Sequence, residues 1–348
     1  MWPSQEPGRA SLLVNPRRIV LRKNGRPEVL QAESFEPAPP GPGEVQIETQ
    51  FAGVNFADLV MRIGFYRDAP PLPFIPGYEV AGKVVATGEG VKLRKGTRVA
   101  AATRFGGYCS HVNIAAESVF QVPRSLGLDE AAAFPVQWMT AWAALHESAR
   151  VRRGEKVLVH GGAGGVGLAA IAIAQEAGCP VWATAGGPAK CDHLATLGVT
   201  AIDHMDGPWR PKVERDAMDV VLDPIGGQHL KDSISATRPG GRVVAYGGAD
   251  ATTPKANLLK GAKMLRAMRF SAIPMLTNSK ALMGLNLLRL WEAGHDLKPA
   301  AERLMTSMVA GTLPRPTIDS VFDMEDAAQA HQYLHDRKNI GKVLLRFE

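Results

Sequence analysis

Residues 156–167, Lys156-Val-Leu-Val-His-Gly-Gly-Ala-Gly-Gly-Val-Gly167, restrict this chain more than any other stretch. Val157 to Val159 read as a short buried strand, Gly162-x-Gly164-x-x-Gly167 as a turn, and the small apolar run Leu168 to Ala177 as a helix. A strand that feeds a helix through glycines leaves unpaired backbone N–H groups aimed at one point, with the positive end of the helix dipole behind them. That point suits a pyrophosphate. In this reading Gly162 allows the tight turn and Gly164 lets the phosphate approach, with Gly165 and Val166 in the same turn. Gly167 lets the helix lie close to the sheet.

From this unit onward strands and helices alternate. Strands read at 157–160, 181–185, Ala201 to Asp203, Val220 to Asp223 and Arg242 to Tyr246. Helices read at 165–177, 188–197 and from about Gly227. Such alternation predicts a parallel, doubly wound sheet. The preceding half is patterned differently. Short strands at Arg18 to Leu21 and Glu28 to Gln31 flank the turn Asn24-Gly25. Others follow at Glu44 to Thr49, Lys83 to Thr87, Gly106 to Ile114 and Val119 to Val122, as in a compact barrel with glycine corners. Asp129 to Ala133 and Val136 to His146 have helical spacing. Ala256 to Arg269 reads as a basic helix, Leu282 to Gly294 and Ala300 to Gly311 as further helices, and Ile340 to Phe347 as a strand returning to the first domain. At 348 residues two domains are the natural expectation.

Charge and cysteine usage exclude several function classes. The net charge of +6 is spread along the chain, without the basic stripe and interleaved aromatics of a nucleic-acid surface. The longest apolar stretch, around 157–174, is interrupted by His160 and many glycines and does not read as membrane-spanning. Residues 1–16 carry Glu6 and Arg9 and read as a loose leader rather than a signal peptide. Cys109, Cys179 and Cys191 form no CxxC pair, which points to a reducing, cytoplasmic setting and away from a cysteine zinc site.

The stretches Gly53-Val-Asn-Phe-Ala-Asp58, Pro76-Gly-Tyr-Glu79, Leu158 to Gly167 and Asn339-Ile-Gly-Lys342 carry a family likeness. The chain resembles the medium-chain dehydrogenase/reductase superfamily, in its zinc-free quinone oxidoreductase branch. Pro135 to Ala141, Asp219 to Gly227 and Ile318 to Phe322 look most like the vesicle amine transport protein-like subgroup. The resemblance implies an α/β fold with a GroES-like β-rich catalytic domain (17–138 and 288–348) and a Rossmann nucleotide-binding domain (139–287). It also implies a homodimer joined through an edge strand near Ala281 to Leu285.

Site residues follow from the same likeness. Zinc-using relatives hold metal with Cys, His and Cys; the matching positions here are Asn55, Tyr78 and Val136, a set that cannot replace thiolates and imidazole, so no metal is expected. Enzymes that prefer NAD place an acid about 20 residues after the glycine turn. Ala185 stands there, which leaves room for the 2′-phosphate of NADPH. Gly186, Lys190 and His204 match positions around that phosphate, although Lys190 also reads as a solvated helix lysine and His204 as a surface or capping residue. Thr140, Gly227, Tyr246, Gly247, Phe270 and Asn339 match residues along the rest of the cofactor. Asn55, Asp58 and Tyr66 match polar residues of the substrate cleft, with Asn55 and Asp58 equally able to cap a turn and helix. Val60 stands where relatives often carry a tyrosine.

The implied activity is hydride transfer from NADPH to quinones or α,β-unsaturated carbonyls. Asn55 would orient the carbonyl, and Tyr66 or water would deliver the proton. A nucleotide-binding interaction protein of low turnover is the other reading.

Overall fold

Alternating burial builds the first half. The computed structural model describes residues 15–249 and 269–347. Most of the leader and residues 256–268 of the expected basic helix lie outside the described residues. Strands β1 (Arg17–Leu21) and β2 (Leu30–Ser34) pair antiparallel. The strand expected at Glu28 to Gln31 begins later, because Pro27 to Val29 form a 3-10 turn with proline at its first position.

Strand β3 (Glu44–Val54) buries Val45, Ile47 and Thr49 on one face. It is followed by helix α1 (Phe56–Ile63), β4 (Glu79–Thr87), β5 (Arg98–Ala102), β6 (His111–Ala115) and β7 (Val119–Gln121). Helices α2 (Leu128–Ala132) and α3 (Gln137–Trp142) close this half, and α3 widens into a π-helical turn over Ala143–Ser148.

The second half contains β8 (Val157–Val159), α4 (Gly165–Glu176), β9 (Val181–Ala185), α5 (Pro188–Thr196), β10 (Thr200–Asp203) and β11 (Met218–Asp223). It continues with α6 (Gly227–Ala236), β12 (Thr237–Ala245), α7 (Ala272–Thr277) and β13 (Ala281–Gly284). Strand β13 takes the first turn of the helix expected at Leu282 to Gly294. The helix, α8 (Leu287–Glu292), starts only after Asn286, whose side chain accepts the Leu288 N–H as its cap. Helix α9 (Lys298–Ala310), β14 (Ile318–Asp323), α10 (Ala327–His335) and β15 (Lys342–Arg346) complete the described chain.

These strands form two large sheets. One runs β14-β15-β3-β4-β5-β7, with β6 also on β3. Residues 51–54 extend β3 beyond the expected Glu44 to Thr49 because β15 pairs with them antiparallel. The other sheet is parallel, in the order β10-β9-β8-β11-β12-β13. That order reverses between β8 and β11, and ligands of doubly wound sheets sit in the crevice beyond the strand ends at such a point. Val157 and Val159 pack to one face with Ile171 and Ile173 of α4, and Leu158 packs to the other with Leu230 of α6. Helix α9, expected with the β-rich half, turns Ala301, Leu304, Met305 and Met308 into the α4-side core.

Candidate active site

The glycine turn joins β8 to α4 beside the reversal point. Gly161 takes the left-handed conformation (φ +65°), one position before the expected Gly162. Gly162 is needed for a different reason: a Cβ there would stand 2.7 Å from the Ala183 Cβ on β9. A Cβ at Gly167 would meet the Gly161 and Gly162 carbonyl oxygens at 2.4 and 2.6 Å, so only glycine lets α4 start this close to the turn. At Gly165 it would strike the Gln137 side chain. At Gly164, the N-cap, it would meet only Gly161 O at 3.4 Å, which leaves the space before the helix open. Val166 is half-buried against the α4-side core.

One segment, residues 337–342, runs past this turn and links both ends of the crevice. Lys190 Nζ donates to the Arg337 carbonyl oxygen at 2.5 Å. Arg337 itself adopts φ +55°. Asn339 is buried and donates through Nδ2 to Gly341 O at 2.8 Å. Gly341 N–H donates to Ala163 O at 2.9 Å, inside the glycine turn. Lys342, the next residue, is fully buried in the β-rich half.

At the first end, Lys190, Arg337 and His204 form a cationic corner. Partial burial lowers the Lys190 pKa, the Asp319 carboxylate opposes that shift, and the Arg337 charge adds to it. The His204 pKa is likewise lowered, by desolvation first and then by Arg337, His229 and Lys190, against the pull of Asp203. Two cations that oppose each other's charge, with the neutral His204 imidazole beside them, make a place for an anion. A Cβ at Gly186 would stand 3.1 Å from His204 Nε2, so glycine keeps the imidazole in position. The nearby Asp203 carboxylate is occupied, accepting the Gly187 and Met205 N–H groups at 3.0 and 2.8 Å. Arg337 was not visible as a candidate in the sequence; its one sign is its position two residues before Asn339.

At the other end, Asn55 sits between two buried charges. Its Oδ1 accepts from Lys342 Nζ at 2.7 Å, and its Nδ2 donates to Glu79 Oε1 at 2.9 Å. Lys342 Nζ also pairs directly with Glu79 Oε1, and Glu79 Oε2 accepts the Val136 N–H at 2.7 Å. Both charged side chains are fully buried. Glu79 and Lys342 were missed as functional candidates, although each ends a stretch that carried the family likeness.

Asp58 is a correction. It does not line the cleft but lies sealed beneath it, accepting from Asn55 N, Gly77 N and Tyr108 Oη at 2.8, 3.1 and 3.1 Å. The Asn55-x-x-Asp58 spacing is a capping box on α1. Burial pushes its carboxyl up to about 7. Tyr66 is half-buried and meets the Tyr78 ring edge-on at 6.2 Å. Tyr78 Oη is buried with no hydrogen-bond partner within 3.5 Å among the described residues. Burial raises the pKa of both phenols, which keeps them protonated at neutral pH.

The remaining candidates divide. Thr140 is buried on α3. Gly227 (φ +59°) opens α6 after the loop from β11. Tyr246 N–H donates to Asp223 O at 3.0 Å, and Gly247 lies so close to Pro224 that a Cβ would stand 2.5 Å from its oxygen. Thus 224–227 and 246–247 form one wall. Phe270 packs instead with Leu158 and Leu230 on the α6 face, in a different core from Tyr66.

Residues 41–151 match the alcohol dehydrogenase GroES-like domain family, and residues 197–345 match the zinc-binding dehydrogenase family. The human synaptic vesicle membrane protein VAT-1 homolog is 35% identical over 324 residues, 91% of this chain and 82% of that protein. Pig (Sus scrofa) quinone oxidoreductase is 31% identical, over 94% of this chain and 96% of its own length. The chain belongs to the medium-chain dehydrogenase/reductase superfamily, in its quinone oxidoreductase branch. The structure of Escherichia coli quinone oxidoreductase complexed with NADPH superposes with a TM-score of 0.83, at 27% identity, covering 95% of this chain and all of that one.

Membership of a superfamily with zinc-binding members raises the question of a catalytic metal, and the residues present do not fit one. Of the three positions, Asn55 has its amide engaged at both ends, Tyr78 is a neutral phenol, and Val136 offers no donor. No helix among the described residues of this reductase-family chain is long and apolar enough to cross a membrane. A cavity of about 990 Å³ lies away from the site, between Glu44, Val91 and Phe120 on one side and Lys298 and Met305 on the other.

Proposed function

We propose that this chain is an NADPH-dependent oxidoreductase that delivers hydride to quinones or α,β-unsaturated carbonyls without a metal in the step. The observation that carries the reading is the 337–342 segment. It joins a cationic corner fit for a 2′-phosphate to the glycine turn and then to Asn55. The relative crystallised with NADPH supports the cofactor.

When bound, NADPH would supply a hydride from its nicotinamide C4. The turn at Gly162, Gly164, Gly165, Val166 and Gly167 would hold the pyrophosphate, and Lys190, Arg337, His204 and Gly186 the 2′-phosphate. Thr140, Gly227, Tyr246, Gly247 and Asn339 would border the remainder. As hydride adds to the electron-poor carbon, charge develops on the substrate oxygen as an enolate or phenolate. Asn55 is held by Glu79 and Lys342, and its second Nδ2 proton rests on Gly53 O in a long 3.4 Å contact. That proton is the one able to turn to the substrate oxygen. Tyr66, with Tyr78 behind it, supplies the proton, and burial keeps both phenols in the donor form. Asp58 positions Asn55 by accepting its backbone N–H.

We further assign the catalytic half to 17–138 and 288–348, apart from α9, which packs on the nucleotide half, and the nucleotide half to 139–287. The homodimer contact is assigned to edge strand β13 and the exposed Ile273 and Leu276 of α7. The three free cysteines fit a reducing, cytoplasmic setting. The test is NADPH oxidation with 9,10-phenanthrenequinone and with an enone, compared with NADH, in the presence of a chelator. Turnover with NADPH in chelator is expected. Tight NADPH binding with no oxidation across the panel would overturn the assignment and favour a low-turnover binding protein.

A further inference from the structure

A second cluster of chemistry-bearing side chains lies under the glycine turn. His160 follows β8, Asp223 ends β11, and His229 lies in the first turns of α6; one ligand atom from each falls within 4.8 Å of the others. Ser233, one turn further along α6, completes the group: its Oγ is 2.7 Å from Asp223 Oδ2 and 3.3 Å from His160 Nε2. His229 Nδ1 is 3.1 Å from the same Asp223 oxygen. A tetrahedral zinc with bonds of about 2.0–2.2 Å sets its ligand atoms roughly 3.3–3.5 Å apart. The contacts of 2.7, 3.1 and 3.3 Å lie at or below that spacing and the widest pair of ligand atoms within 4.8 Å, so small side-chain shifts would bring the group around one ion.

The outer contacts are those a metal site requires. His160 Nδ1 is tied to Thr184 Oγ1 at 3.0 Å, which turns Nε2 toward the cluster. Asp223 Oδ1 accepts the Ile225 and Gly226 N–H groups at 2.7 and 2.9 Å, which fixes the carboxylate and leaves Oδ2 facing inward. Trp209 covers the group, its ring 4.4 Å from His160 and 5.1 Å from His229. The His229 side chain retains 18% exposure and marks the way in.

We propose that His160, Asp223, His229 and Ser233 bind a divalent transition metal of the zinc class. Two imidazoles, one carboxylate and a hydroxyl suit Zn²⁺ or Co²⁺ and not Mg²⁺ or Ca²⁺. This site is separate from the Asn55 and Tyr78 positions and departs from the expectation that the chain takes no metal. Bound metal would tie together the ends of β8 and β11 and the start of α6, the elements that carry the glycine turn and the 224–227 loop. It takes no part in hydride transfer, so it stands or falls independently of the proposed reaction.

The test is a Co²⁺ titration of the metal-stripped full chain. The expected result is one Co²⁺ per chain with intense visible bands of a tetrahedral centre, displaced by Zn²⁺ and accompanied by quenching of Trp209 and a raised Tm. His229→Gln is expected to weaken binding at least tenfold while circular dichroism stays unchanged. Should that variant not fold, comparison of the quench in wild type and Trp209→Phe locates the ion: a quench lost in Trp209→Phe supports the site. Equal binding by wild type and His229→Gln, a weak octahedral spectrum, or a quench that survives in Trp209→Phe would overturn the proposal and leave a hydrogen-bond network with adventitious surface binding.

Discussion

Replacing Lys342 with methionine removes one charge from a fully enclosed pair and keeps most of the side-chain volume. Glu79 Oε1 then retains only Asn55 Nδ2, and Asn55 Oδ1 loses the ammonium donor it has at 2.7 Å. Breaking a buried pair by removing one partner costs about 3–5 kcal/mol, because the remaining charge stays out of water. An unmet buried acceptor accounts for about 1–3 kcal/mol of effects of this kind. We therefore expect Lys342→Met to lower unfolding free energy by about 3–5 kcal/mol, read by urea denaturation with tryptophan fluorescence and circular dichroism. Glu79→Gln/Lys342→Met removes both charges and is expected to recover at least half of that loss. The same variants should lower kcat more than they weaken NADPH, since Asn55 loses the groups that fix it. A loss under about 1 kcal/mol for Lys342→Met, or additive single losses in the double variant, would refute the account.

Lys190→Ala and Arg337→Ala should each weaken NADPH roughly 10- to 150-fold, the equivalent of about 1.5–3 kcal/mol, with NADH nearly unaffected; equal loss of both cofactors in a binding titration would remove the 2′-phosphate assignment. Tyr66→Phe should slow turnover with the NADPH dissociation constant unchanged, and an unaltered kcat on several enones would reduce Tyr66 to a packing residue. The third expectation concerns pH. Tyr108 Oη bridges Asp58 Oδ2 and His331 Nε2 at 3.1 and 3.0 Å, and burial pushes Asp58 up to about 7 and His331 down to about 3. As pH falls from 7, the folded chain protonates Asp58 before the unfolded chain does, which stabilises it; below 6.5 the unfolded chain protonates His331 first, which destabilises it. The two effects oppose each other over nearly the same window. His331→Gln removes only the second, so its stability should rise relative to wild type between pH 7 and 4.5, by up to about 3 kcal/mol. Parallel denaturation profiles for the two proteins would contradict this.

Much of the fold was legible because its signals are local. The glycine turn and the alternation after Lys156 fix the parallel sheet, since strand and helix periods differ within a few residues. Leu282 to Leu285 was expected as helix from its pattern and as edge strand from the family likeness: a short apolar run has no period of its own, and pairing with β12 makes it a strand. The site was less legible. Asn55-x-x-Asp58 fits both a polar cleft and a capping box, and burial decides between them. Glu79 and Lys342 stand 263 residues apart, and no pattern in the chain couples them. Arg337 sits in a turn with φ +55°, where neither period operates.

The pairing of β15 with β3 has a consequence for synthesis. Asn55 and Lys342 are 287 residues apart, an interval of roughly 15–60 s at ribosomal rates of about 5–20 residues per second. Through that interval the nucleotide-binding half can fold, while residues 51–54 present an open strand edge and Glu79 has no counter-charge. Unpaired edges of this kind recruit other chains. The β-rich half is thus the nascent chain's vulnerable part, and the arrival of residues 342–346 shields that edge and completes the reaction pocket at one stroke.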